Sequence, residues 1–243
     1  MKSLNQYIQE KLIINKDYRD AKMLIPKSFD ELRKIIEDRY DKLGAGTKQD
    51  PIDFNDIDVS NLDSFYSRNR DKGIFEEIKF KYIDISDWDV SNIKSIRSMF
   101  FRCEALKSVG DISGWNVSKV TDMGVMFFKC EELESVGDIS GWDVSKVINM
   151  SYMFAFCKKF NQDISGWNVS KVTDMSFMFN YCLSFNQDLS GWDVSKVTNM
   201  NAMFRGCKSF NKDISKWNVS KVKNNILTFF NCSIENEYKP KFK

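Results

Sequence analysis

The 243-residue chain has no histidine. That removes the histidine base, the imidazole of a catalytic triad and imidazole metal ligation together. An excess of one charge is also missing, since 36 Lys+Arg stand against 34 Asp+Glu for a net charge of +2. A strongly basic nucleic-acid binder carries more excess, so no nucleic-acid partner is expected. No window approaches the roughly 18 apolar residues of a spanning helix, so no membrane span is expected either. The opening M-K-S-L-N-Q-Y-I-Q-E-K-L-I-I-N is broken by Asn5, Gln6, Gln9, Glu10 and Lys11, where an export signal needs an unbroken apolar stretch. The expected location is therefore cytoplasmic, with a phage particle or, given an upstream segment, a cell surface as alternatives. No Gly-rich phosphate loop occurs, and no Ser, Cys or Lys stands beside a base, so no enzyme activity and no cofactor are expected.

What is present is repetition. Trp88, Trp115, Trp142, Trp167, Trp192 and Trp217 are spaced 27, 27, 25, 25 and 25 residues apart. Cys103, Cys130, Cys157, Cys182, Cys207 and Cys232 follow each tryptophan by 15 residues. One unit repeated six times explains both sets, and a period in the twenties points to a solenoid. With tryptophan as zero, Asp stands at −4 (Asp84, Asp111, Asp138, Asp163, Asp188, Asp213), Ile or Leu at −3 and Ser at −2. Asx, Val and Ser follow tryptophan, Met stands at +8 in four copies, and Met-Phe at +11 and +12 in five. The first two intervals are longer because S-V-G-D replaces F-N-Q-D.

These boundaries predict an N-terminal helical cap over 1–50, a repeat region over 51–235 and a polar tail over 236–243. The repeat region divides into a degenerate first coil at 52–67 with Ile57 in the tryptophan place, a charged insertion at 68–79, and six coils over 80–235. In the cap, Leu4, Tyr7, Ile8 and Leu12 mark a first helix. Ser28 and Glu31 form an S-x-x-E capping box before a second, which carries Phe29, Leu32, Ile36, Tyr40 and Leu43 on one stripe and ends at Gly44. The second helix is expected to lid the open end of the repeats, and the first to lid it or to dock elsewhere.

Within a unit, strict strand alternation would expose every tryptophan. A bend at Ser-Gly instead brings Ile, Trp and Val to one side. Apolar residues at +8, +11, +12 and +15 have helical spacing, so each coil is expected to run strand, turn, short extended piece and one helical turn. Six such coils span on the order of 30 Å at ~4.8 Å per stacked strand.

Phe185 to Phe204 reads F-N-Q-D-L-S-G-W-D-V-S-K-V-T-N-M-N-A-M-F and resembles the BspA-like leucine-rich-repeat family. The resemblance covers 80–232 closely and 52–67 loosely. It implies a leucine-rich-repeat-like solenoid of short parallel strands and short helical turns that binds proteins, often on bacterial surfaces. The segment L-N-Q-Y-I-Q-E-K-L-I-I-N-K is similar to the starts of proteins of gut Bacteroides and their phages.

Five columns invite a functional reading. The cysteines fall at one place per coil with no C-x-x-C, so a buried ladder of free thiols is expected, not a disulfide set or a metal site. The tryptophans form a second structural ladder. The −4 aspartates stack at about 5 Å, which raises their pKa values unless each finds a donor. Turn amides or lysines, calcium and a protein-binding stripe are the readings left open, with no metal in the preferred one. The residue after tryptophan alternates Asp and Asn from Asp89 to Asn218, which keeps like charges apart, while Asx itself suits a turn. Lys119, Lys146, Lys171, Lys196 and Lys221 form a solvated edge. The expected function is a non-enzymatic protein-binding scaffold, with Asp111, Ser113, Asp138, Ser140, Asp163, Ser165, Asp188 and Ser190 as the binding face. A structural or assembly component, for instance of a phage particle, is the alternative, and a surface adhesin the third.

Overall fold

The computed structural model describes residues 23–69 and 71–242. Each unit turns at three places, and most of these turns are capped by an Asx side chain. At −4, Asp111 Oδ1 accepts from the Ser113 amide at 3.0 Å, and Asp138 and Asp163 do the same for Ser140 and Ser165 at 3.0 and 2.9 Å. At +1, Asn116 and Asp143 cap the amides of Ser118 and Ser145 at 3.2 and 3.0 Å. At +7, Asp122, Asn149 and Asp174 cap Gly124, Ser151 and Ser176 at 2.9, 3.0 and 2.8 Å. A short polar side chain that bonds the amide two residues on mimics a backbone turn, which is why Asx recurs at −4 and +1 in all six units and at +7 in five, with Ser95 in that place in the first. Backbone bonds such as Trp115 N–H to Ile112 O and Val120 N–H to Val117 O tighten the first two corners. The bend at Ser-Gly is present, and Ile112, Trp115 and Val117 all point inward.

The expected helical turn does not form. Residues from +8 to +15 run as consecutive i→i+3 turns, such as Met99 N–H to Ile96 O and Cys103 N–H to Phe100 O. The left-handed region is occupied at +10 (Ser98, Val125, Tyr152, Phe177, Ala202, Leu227) and +14 (Arg102, Lys129, Phe156, Tyr181, Gly206, Asn231). Non-glycine residues pay roughly 1 kcal/mol or more for that conformation. Here each left-handed residue from Ser98 to Gly206 turns its N–H onto a carbonyl of the next unit. Ser98 donates to Gly124 at 3.1 Å, Val125 to Ser151 at 2.8 Å and Tyr181 to Arg205 at 2.7 Å. The strain is offset by bonds that a helix would have kept inside one unit. The three- and four-residue apolar spacing is common to a helix and to turns with a left-handed residue every fourth position.

Strands are likewise shorter than expected. Successive units meet in single parallel bridges, in one column from Ser95 through Asp122, Asn149, Asp174 and Asn199 to Asn224. Side chains hold the stack as much as backbone does. Phe75, Phe100, Phe127, Phe154, Phe179, Phe204 and Phe229 form a continuous ring column with centroids 5.1 to 6.0 Å apart. Each tryptophan donates its indole N–H to the −3 carbonyl of the preceding unit, from Trp88 to Phe54 O at 2.8 Å through to Trp217 to Leu189 O at 2.9 Å. Phenylalanine has the ring but not that donor. The matched units, the buried aromatic ladder and one N-terminal helix fit an elongated repeat structure.

The stretch 68–79 divides. Tyr66–Ser67 (β2) pairs antiparallel with Lys72–Gly73 (β3), and this small hairpin is the inserted part. Residues 73–78 complete the first unit: Phe75 N–H bonds Met99 O, Glu77 N–H bonds Phe101 O, and Ile78 takes the cysteine place. Gly73 has no alternative there, because a Cβ would lie 1.9 Å from Ser98 O. Ile52–Asp53 (β1) runs parallel to Ile83–Asp84 (β4) alongside.

The second predicted helix is present as Phe29–Leu43 (α1), with the Ser28 side chain accepting from Glu31 N–H and Gly44 following at φ 75°. Leu32, Ile36 and Leu43 are buried as the stripe requires, and so are Arg33 and Arg39. Arg33 donates to the Gly73, Ile74 and Glu76 carbonyls at 3.0 to 3.1 Å, and Arg39 to Asp53 O and both Asp56 oxygens. The helix thus supplies donors to first-unit carbonyls that no earlier unit can satisfy. The expected first helix, with Leu4, Tyr7, Ile8 and Leu12, lies outside the described residues.

Candidate protein-binding face

The stripe of Asp111, Ser113, Asp138, Ser140, Asp163, Ser165, Asp188 and Ser190 lies together along one corner, mostly exposed. One oxygen of each of its carboxylates is already engaged. Each aspartate accepts from the serine amide two residues on, as Asp188 does from Ser190 at 2.9 Å. Hydrogen bonds from Ser140, from Ser190 and from Ser215 hold the Asp138, Asp188 and Asp213 carboxyls below the usual range. The column is built as a row of turn caps. Among the described residues no three acidic or thiol groups gather in a way that suits a metal ion.

Both structural ladders lie inside. Trp88, Trp115, Trp142, Trp167, Trp192 and Trp217 are buried. Cys103, Cys130, Cys157, Cys182 and Cys207 are buried free thiols, and Cys232 is half-buried. Cys130 Sγ donates to Phe100 O at 3.1 Å and Cys182 to Phe154 O at 2.8 Å, one unit back in each case. Burial pushes the Cys103 thiol up to about 12. The lysine edge is exposed, and Lys119 reaches Asn92 Oδ1 at 2.8 Å.

Another surface has the character the stripe lacks. Positions +9, +10, +13 and +14 differ from unit to unit where the interior repeats, and most of their larger side chains are half-buried or exposed, while Ser98, Ala155, Ser176, Asn180 and Ala202 are buried. At +10 the residues are Ser98, Val125, Tyr152, Phe177, Ala202 and Leu227. At +13 they are Phe101, Phe128, Ala155, Asn180, Arg205 and Phe230. Their rings are contiguous. Phe101 stacks on Phe128 at 5.0 Å, Tyr152 on Phe177 at 4.4 Å and Phe156 on Tyr181 at 5.3 Å, while Phe128 meets Tyr152 and Phe156 edge-on. Most of these rings are only half-buried. Arg102, Lys129 and Arg205 lie over rings of the same surface. A helix with +8, +11, +12 and +15 inside would also set +10 and +14, one turn apart, together on its outer face. The signal in the sequence was the variation itself.

The model of the family described as Mycoplasma protein of unknown function, DUF285, matches residues 70–169 and 131–241. The chain belongs to the DUF285 family. The matches cover the tryptophan-to-cysteine units, so the buried ladders are features of DUF285 repeats. They begin inside the first unit and leave α1 outside. No curated protein and no solved structure matches the chain. No helix of the described residues is long and apolar enough to cross a membrane.

Proposed function

We propose that the chain is a non-enzymatic protein-binding scaffold, a leucine-rich-repeat-like solenoid of the BspA-like kind, and that it binds through the turn face. The observation behind this reading is the division of labour within the unit. Interior positions repeat because each must pack on its neighbour, whereas +10, +13 and +14 vary while carrying the contiguous rings from Phe101 to Tyr181. A face freed from the packing rule and rich in aromatic residues and arginine suits recognition of another protein. The Asp and Ser stripe is the weaker candidate, since its acceptors serve the turns.

Affinity capture from the source cell tests the choice of face. With Phe156→Ser, Phe177→Ser and Tyr181→Ser combined, the captured partner is lost. With Asp111→Lys, Asp138→Lys and Asp163→Lys combined, it is retained. The reverse pattern overturns the reading. An assembly role is the second reading, favoured by Ile226, Leu227 and Phe230, which are 70%, 45% and 55% exposed on the last unit. Ile226→Ser with Leu227→Ser tests the last unit and deletion of residues 1–23 tests the N-terminal segment: binding by the repeats survives both changes, whereas assembly fails in at least one.

A further inference from the structure

Among the described residues, two cations on the turn face have no carboxylate partner. Lys129 Nζ lies 5.9 Å from the Phe128 ring and 6.0 Å from that of Phe156. The Arg205 guanidinium lies 5.6 Å from the Tyr181 ring and 5.8 Å from that of Phe230. Neither enters an ion pair among the described residues, whereas Arg102 has Glu77 at 3.4 Å and Arg97 has Asp122 at 3.9 Å. Arg205 Nε is also buried with no acceptor. Held against rings, both charges are partly desolvated and fixed in place, which strengthens their attraction to an anion.

The rings between them favour the same sign of partner. Stacking along the repeat axis covers ring faces with neighbouring rings, at 4.4 Å for Tyr152 on Phe177 and 5.3 Å for Phe156 on Tyr181. What remains outward is ring edge, which carries partial positive charge. A nucleic-acid base stacks on an open ring face, and these columns offer few. A carboxylate, or an apolar side chain packed along the edges, fits better. Spacing narrows the choice further. Lys129 and Arg205 belong to units three steps apart, roughly 14 Å at ~4.8 Å per step. An extended peptide covers that distance in about four residues at ~3.3 Å each, and its alternation puts residues i, i+2 and i+4 on one side.

We infer that Lys129 and Arg205 are the two ends of a site for an extended acidic segment of a partner protein. The segment carries carboxylates four residues apart, with an apolar side chain midway that lies on Phe156 and Tyr181. This inference rests on the protein-binding reading of the turn face.

Fluorescence anisotropy of the full chain with labelled heptapeptides tests it. One peptide has Glu at its second and sixth positions and Leu at its fourth, a second has Lys for both Glu, and a third has Gln. The expected result is binding of the Glu peptide at least about tenfold tighter than either other, and about tenfold weakening by Lys129→Gln or Arg205→Gln. Both variants should keep the circular dichroism of the parent. Equal binding of all three peptides, or a Glu peptide indifferent to both substitutions, overturns the inference while leaving the face reading intact. Absence of binding by every peptide overturns it as well, and the serine variant in affinity capture then reports on the face separately. Tighter binding of an eight-nucleotide oligothymidylate than of the Glu peptide overturns it in favour of a phosphate polymer.

Discussion

A buried thiol and an exposed carboxylate respond to pH in opposite directions in this chain. Desolvation raises Cys103 to about 12 and pushes Cys130, Cys182 and Cys207 well above the ordinary thiol value. The native state therefore keeps these protons at pH values where the unfolded chain gives them up. The stability involved is complete below about pH 8.5, the free thiol value. It falls as pH rises from there towards the folded value, by up to ~1.4 kcal/mol per pH unit per thiol. Urea midpoints from pH 8 to 10 should decline more steeply for the parent than for Cys130→Ala, whose overall stability is lower but whose slope lacks one thiol. A thiol-specific reagent gives the companion result. Native protein should show slow reaction at Cys232 alone, and denaturation without reductant should release all six thiols.

The aspartates behave in the opposite sense. Accepted hydrogen bonds hold Asp138, Asp188 and Asp213 below the usual range, so the folded form stays ionised to lower pH than the unfolded chain. Their contribution is present above about pH 4, the unfolded carboxyl value, and is lost as pH falls through the folded values. Asp138→Asn keeps the oxygen that caps Ser140. It should leave the urea midpoint at pH 7 nearly unchanged and flatten its fall between pH 4 and 2.5. A variant as steep as the parent would show that the caps do not set the acid limb.

At the scale of the element, the consecutive turns carry the strain. Val125 is the least suited of the left-handed residues, because it is β-branched and sits at φ 51°. Its N–H bond to Ser151 O, at 2.8 Å, is what holds it there. Asparagine tolerates that conformation, so Val125→Asn should raise stability by roughly 0.5–1 kcal/mol in urea unfolding. A loss of that size would mean that the half-buried valine side chain contributes more than the backbone loses. The same element marks where sequence reading stopped. Period, ladders, capping box and Ser-Gly bend were legible, since each depends on residues close in the chain or repeated in register. The turns were not, because +8, +11, +12 and +15 suit both structures, and only bonds to the next unit decide between them. Arg33 and Arg39 read as the polar side of α1. Their burial comes from unsatisfied carbonyls on the first unit, about which the helix sequence carries no information. The stripe from Asp111 to Ser190 was found as a column, and of the readings open for its aspartates the turn-amide one is what the Ser113, Ser140, Ser165 and Ser190 amides bear out.

At the scale of the molecule, each unit touches only its neighbours, so stability is nearly a sum of unit and interface terms. Deleting residues 168–192 removes one whole unit and joins Trp167 to Asp193, restoring the native W-D-V-S sequence at the junction. The ring column, the indole donors and the thiol ladder all re-form one step shorter. The shortened chain should fold with the same spectrum and a smaller urea m-value, because less surface is exposed on unfolding. Deleting residues 168–180 should abolish cooperative unfolding instead, since that cut sets turns against Asx corners and leaves their N–H groups without acceptors. The whole-unit deletion also removes Tyr181, one of the two rings under Arg205, and brings Lys129 and Arg205 to two steps, roughly 10 Å apart. That distance falls between the same-side spacings of an extended peptide, about 7 and 13 Å for i+2 and i+4. A folded deletion protein should therefore lose most of its preference for the peptide with Glu at positions two and six. Retention of that preference at full strength would mean that one cation suffices and that repeat spacing does not measure the partner.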